Sequence, residues 1–188
     1  MGLLISGLPT AILVDEQVCR IDASYHTCLK IIMAFEDHTL TNAEKAMVMI
    51  DLLYIDKPAS FNSAFEKGIQ FLDCGEAGRR DVEEPTDRKY SFSHDEKYIY
   101  SGVNRVLNGR LSTGEFVHWW EFVMAFMELP EDCIMSRIIY LRTRFAKGKL
   151  TKEEKQVYYE NRSMFELPLD LSADEQAKAD EFMRLLGE

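Results

Sequence analysis

Ser112-Thr113-Gly114-Glu115-Phe116-Val117-His118-Trp119-Trp120-Glu121-Phe122-Val123-Met124-Ala125-Phe126-Met127 is the stretch that decides the fold. It opens with Ser112 and Glu115 at capping-box spacing, where a hydroxyl and a carboxylate three residues apart satisfy free amides at a helix start. Behind them Phe116, Trp119, Trp120, Val123 and Met127 recur at three- and four-residue steps, which predicts a helix. Phe122, Met124 and Phe126 fill most of its remaining circumference. A helix apolar nearly all round is either the centre of its domain or keeps one face for a partner. Trp119 and Trp120 are neighbours about 100° apart on it, so one is expected in the core and the other nearer a surface groove. Phe122 and Phe126, four apart, are candidates for the edge of that groove.

The same capping spelling recurs at Thr41 and Glu44, Ser93 and Glu96, Thr151 and Glu154, and Ser172 and Glu175, each ahead of a periodic apolar run. Met47, Ile50, Leu53 and Tyr54 form one such stripe. Asp22 reads as the N-cap of a helix carrying Tyr25, Cys28, Leu29, Ile32 and Phe35. Two further helices are expected over Ser60 to Leu72 and Asp132 to Phe145. Ahead of them all, Leu3 to Ile5, then Ala11 to Val14, a turn at Asp15 and Glu16, and Gln17 to Ile21 read as a short hairpin. Gly75 to Lys89 is polar and almost without apolar residues, which reads as a flexible linker. The expected fold class is therefore mainly α: a short N-terminal β-hairpin followed by a multi-helix bundle in two subunits joined by a polar linker. Its segments are 1–74 (hairpin plus three helices), 75–90 (linker), 91–168 (second helical unit) and 169–188 (terminal helix). Gly102 and Gly114 are expected to weaken two of these helices.

A formal net charge of −10 and a pI near 5.0 argue against nucleic acid as a partner, because duplex binding rests on Lys and Arg neutralising phosphates. Eleven Phe, nine Met and eight Tyr supply soft side chains that fill a core or repack around an irregular partner. No apolar run is long enough for a membrane span, and Met1 to Thr10 lacks the basic start and apolar core of a signal peptide, so the chain is expected to stay where it is made. Cys19, Cys28, Cys74 and Cys133 show no zinc or disulfide spacing and read as reduced, buried thiols. The four histidines show no paired metal spacing, and no phosphate loop, dinucleotide loop or nucleophile elbow occurs. No metal, no cofactor and no catalysis are expected. One stretch stands apart in this acidic chain: Arg137, Arg142, Arg144, Lys147 and Lys149, with no acid among them. Such a run is either a solvated face favouring a helix C-terminus or a docking patch for an acidic partner such as another copy.

The order of these features resembles a known family. Leu8-Pro9 ahead of a strand, Glu44-Lys45 in a helix, Phe71 to Gly75 with Cys74, Tyr90-Ser91-Phe92-Ser93-His94-Asp95 leading into Tyr98-Ile99-Tyr100, His118-Trp119-Trp120 with Phe122, Leu129-Pro130-Glu131-Asp132-Cys133, Ile138-Ile139 and an Arg142-centred helix are similar to the bacteriophage "gene product fifteen" family of Gram-positive siphophages. The likeness covers roughly Met1 to Pro168. It implies a tail-assembly chaperone, encoded ahead of the tape-measure protein, that coats and solubilises that protein, recruits tail-tube subunits, and leaves as the tube polymerises. The implied place of action is the cytoplasm of the bacterial host, with absence from the mature virion. Trp119, Trp120, Phe122, Phe126, Arg137, Arg142 and Arg144 are the candidate partner-binding residues, with self-association along the client. The alternatives are a structural subunit of the tail or head-tail joint, and a small regulator or enzyme.

Overall fold

Two of the five capping-box spellings form as read. Thr41 and Glu44 start one helix and Thr151 and Glu154 another, each pair exchanging side-chain and backbone hydrogen bonds. The computed structural model describes residues 3–75 and 89–168. Ser172 with Glu175, the terminal helix, and nearly all of the polar linker lie outside the described residues. The chain is mainly helical with one two-stranded antiparallel hairpin. In order it runs α1 (Leu3–Ser6), β1 (Ala11–Val14), β2 (Gln17–Arg20), α2 (Tyr25–Glu36), α3 (Asn42–Leu53), α4 (Phe61–Leu72), α5 (Glu96–Val106), α6 (Arg110–Thr113), α7 (Trp119–Met127), α8 (Ile134–Ala146), α9 (Lys152–Glu160) and α10 (Arg162–Phe165).

The hairpin pairs Ala11 with Arg20 and Val14 with Gln17, leaving Asp15 and Glu16 as the turn, and Asp15 takes a positive φ of 52° that Asp tolerates. Val14 and Cys19 turn inward, while Leu13 and Val18 sit opposite one another on the outer face. Leu3 to Ile5, expected to open the hairpin, instead form the exposed α1.

Three caps differ from the expected ones, and each time the expected side chain is bonded elsewhere: two of them locally, and one to a distant carboxylate. Ser24, not Asp22, caps α2, because the Asp22 carboxylate accepts from the Ser24 amide and the Thr27 hydroxyl. At α5 the cap residue is Asp95, and the Ser93 hydroxyl donates to Glu36 instead. Ser112 lies inside α6, bonded to the Gly109 carbonyl, and α7 starts seven residues later with His118 as its cap. Gly114, at φ 74°, ends α6, and residues 115–117 before the cap form no helix or strand. Gly102 does not mark a weak helix. A Cβ there would lie 2.7 Å from a Leu129 methyl, so its absence lets α5 pack closely against the segment after α7.

Residues from both sides of the linker contribute to one buried cluster, from Val14, Cys28, Ile31, Met49 and Leu53 to Val103, Phe122, Met135 and Ile138. α2 packs on α3 and α7, and α7 packs on α5, so α7 is at the centre. Among the described residues no helix is long and apolar enough to cross a membrane.

Candidate functional site

The start of α7 is where the halves are tied together. A helix start leaves amides without partners and a helix end leaves carbonyls without partners, so joining the two inside a core requires donors and acceptors at fixed places. His118 Nδ1 accepts from the Trp120 amide at 3.0 Å, and its Nε2 bonds the Pro9 carbonyl at 2.8 Å. Nδ1 as acceptor puts the ring proton on Nε2 as donor. The Trp119 amide donates to the Ala23 carbonyl at 2.7 Å, and the Tyr25 amide donates to the Val117 carbonyl at 3.0 Å. The starts of α2 and α7 thus hold each other.

Both indoles reach across to the C-terminus of α4. Trp119 Nε1 donates to the Leu72 carbonyl at 2.9 Å and Trp120 Nε1 to the Phe71 carbonyl at 2.7 Å, so two consecutive tryptophans cap two consecutive carbonyls. The α4 end is shaped for it. Cys74 and Gly75 take positive φ of 56° and 82°, and a Cβ at Gly75 would stand 3.2 Å from the Trp120 ring. Trp119 is 2% exposed and stacks on Phe122, itself 2% exposed and stacked on Tyr25. Trp120 is half-buried against Phe71. Phe122 is therefore core and not a groove edge: it lies on the side of α7 facing α2.

Phe126 is at a groove. Ile32, Leu72, Tyr90, Phe92, Trp119, Val123 and Phe126 line a depression of about 570 Å³ between α2, the end of α4 and α7, with Glu36, Asp73 and Lys89 among its walls. Tyr90 and Phe126 meet edge to face at 5.0 Å. The Glu36 carboxylate accepts from the Phe92 amide at 3.1 Å and the Ser91 hydroxyl at 2.8 Å, which fixes that wall. Trp120 lines a separate, shallower depression of about 280 Å³ with Ile12, Leu13, Phe71 and Gly75.

The basic stretch divides. Arg142 is 5% exposed and Asp95 0%, and they pair in two bonds of 2.6 and 2.9 Å. The same guanidinium donates to the Lys89, Met164 and Phe165 carbonyls, so its five donors all have acceptors. Arg142 is thus an internal clamp and not a docking residue. Arg144 is bonded to Glu154 at 3.0 Å and to the Lys149 carbonyl. Arg137 remains on the surface of α8 with Ile134 and Tyr140. The seven candidate residues therefore do not form one patch. Sequence reasoning missed Ile32, Tyr90 and Val123 as groove residues; the first and third carry only ordinary helix periodicity, and Tyr90 sits at the linker boundary.

The Cys28 thiol is pushed up by burial, and the Tyr54 hydroxyl, buried and donating to the Ala64 carbonyl, is pushed up to about 12. Neither arrangement activates a nucleophile.

A family model described as "Bacteriophage Gp15 protein" matches residues 4–167. The chain belongs to this family. No curated protein and no solved structure matches the chain.

Proposed function

We propose that this member of the bacteriophage Gp15 family is a tail-assembly chaperone that binds and solubilises the tape-measure protein. The observation supporting the reading is the groove beside α7: apolar side chains on a floor fixed by the indole caps, with charged residues at its walls. Its volume of about 570 Å³ lies within the roughly 300–1,000 Å³ of ligand-holding clefts. An amphipathic helix laid in such a groove buries anchors at three- and four-residue steps, which suits a long helical client. Val123 and Phe126 would take the anchors, and Glu36 and Lys89 would meet polar residues flanking them. The protein acts in the host cytoplasm without catalysis, associates with copies of itself along the client, recruits tail-tube subunits, and is absent from the finished virion.

Co-expression with the long helical protein encoded downstream tests this. The client should move into the supernatant in the presence of the wild-type chain; a client left insoluble would count against the reading. Mass spectrometry of purified virions distinguishes the second reading, a subunit retained in the tail or head-tail joint, by finding the chain there.

A further inference from the structure

α1 shows its apolar side chains to solvent. Ile5 is 91% exposed and Leu4 more so, while Leu3 is the least exposed of the three. One helical turn has little stability of its own in water, and an apolar one left uncovered has less. From Leu3 to Val14 no residue is charged, in a chain of net charge −10.

A second apolar surface begins three residues further on. The depression of about 280 Å³ is walled by Pro9, Ile12, Leu13, Phe71, Gly75 and Trp120. Its shape is fixed, because His118 Nε2 holds the Pro9 carbonyl and Trp120 Nε1 the Phe71 carbonyl. Leu13 continues it onto the outer face of the hairpin, where Val18 stands opposite and is also exposed. The volume falls below the roughly 300–1,000 Å³ of clefts that enclose a whole ligand, and suits a few aliphatic side chains. Lys67, at its rim, bonds the Gln70 side chain at 3.4 Å and has no carboxylate partner among the described residues.

We propose that two copies of the chain exchange α1, each placing Leu4 and Ile5 in the depression of the other. A second copy supplies what the depression lacks: an uncharged aliphatic turn to fill it, on an acidic body that favours approach to Lys67. In a single chain Leu4 and Ile5 do not reach it, since both stay exposed. Only Gly7, Leu8 and Pro9 separate α1 from β1, and Gly7, at φ 71°, has open space around it. The arm and the depression of one chain are therefore neighbours, so the two contacts close about a two-fold axis. An interface this small is weak and reversible. The inference names a surface for the self-association within the chaperone reading and rests on that reading for its purpose; the experiment below uses no client, so its failure leaves client binding standing.

Sedimentation velocity of the full chain over a roughly hundredfold range of concentration tests it. The wild type should pass from monomer to dimer. Leu4→Ser with Ile5→Ser, or Leu13→Thr alone, should each raise the dimer dissociation constant at least tenfold, with circular dichroism unchanged and net charge unaltered. A mixture of those two variants should associate more strongly than either alone, since one intact arm then meets one intact depression. Met127→Ser removes another exposed apolar side chain, outside this depression, and should have no effect. Because Trp119 is buried, a blue shift of indole emission with rising concentration reports Trp120 being covered; it should appear in the wild type and vanish in the α1 variant. A wild type that stays monomeric would overturn the proposal. So would a dimer indifferent to the α1 variant, a mixture no better than its components, or a loss from Met127→Ser equal to that from Leu13→Thr.

Discussion

α7 and α8 look alike as binding candidates in sequence, one rich in aromatics and the other in cations, yet the fold uses them in opposite ways. At α7 the His118 Nε2 and the two indole N–H groups go to backbone carbonyls of other segments, and the helix becomes the joint of the molecule. At α8 one cation, Arg142, is drawn inside to do the same for Lys89, Met164 and Phe165, while Arg137 stays outside. The difference teaches that residue type proposes a surface, but the nearest unsatisfied backbone group decides whether that residue remains on it.

The most severe test of this contrast is truncation of the joint. Trp119→Ala or Phe122→Ala should each cost about 3–5 kcal/mol, read from the denaturant midpoint, because each opens a cavity in the core. Removing Asp95 as Asp95→Ala should cost a similar ~3–5 kcal/mol by leaving the Arg142 charge buried and unpaired; the same measurement with Arg137→Ala should show a change within about 0.5 kcal/mol. Equal effects of Asp95→Ala and Arg137→Ala would erase the distinction between inward and outward cations. Trp120→Phe keeps a ring and removes the donor, and because the Phe71 carbonyl also accepts from the Cys74 amide, the expected cost is only about 0.5–1.5 kcal/mol.

The smallest effect concerns pH. Arg20 beside Asp56 holds that carboxyl at about 2, first through the side-chain hydrogen bond. A folded value below the unfolded one, about 3.9, means the contribution is present above pH ~4 and is lost as pH falls toward ~2. Arg20→Ala should flatten that acid limb slightly, since Arg20 is exposed and screened.

Much of the architecture was legible because it is local. The hairpin, the turn at Asp15 and Glu16, the Thr41 and Thr151 capping boxes, and the apolar stripe of α7 follow from residues within a few positions of one another. The missed caps at Ser93 and Ser112 share the capping spelling, but Ser93 is taken by Glu36, 57 residues away in sequence, and Ser112 belongs to a separate short helix. The core and groove roles of the two tryptophans could be anticipated from their 100° separation. Their shared task at the end of α4 could not, because it depends on which carbonyls a distant helix leaves free. Phe122 was misplaced for a related reason: a helix apolar all round gives no sign of which face meets α2.

The central claim is that an apolar helical client lies in the groove of Val123 and Phe126. Co-purification of the tape-measure protein with wild type, Phe126→Ser and Tyr140→Ser, each first shown by circular dichroism to be folded, tests it most directly. The account predicts at least a tenfold loss of client for Phe126→Ser, equivalent to about 1.4 kcal/mol of binding, with Tyr140→Ser retaining it. A folded Phe126→Ser chain that carries as much client as the wild type would contradict it.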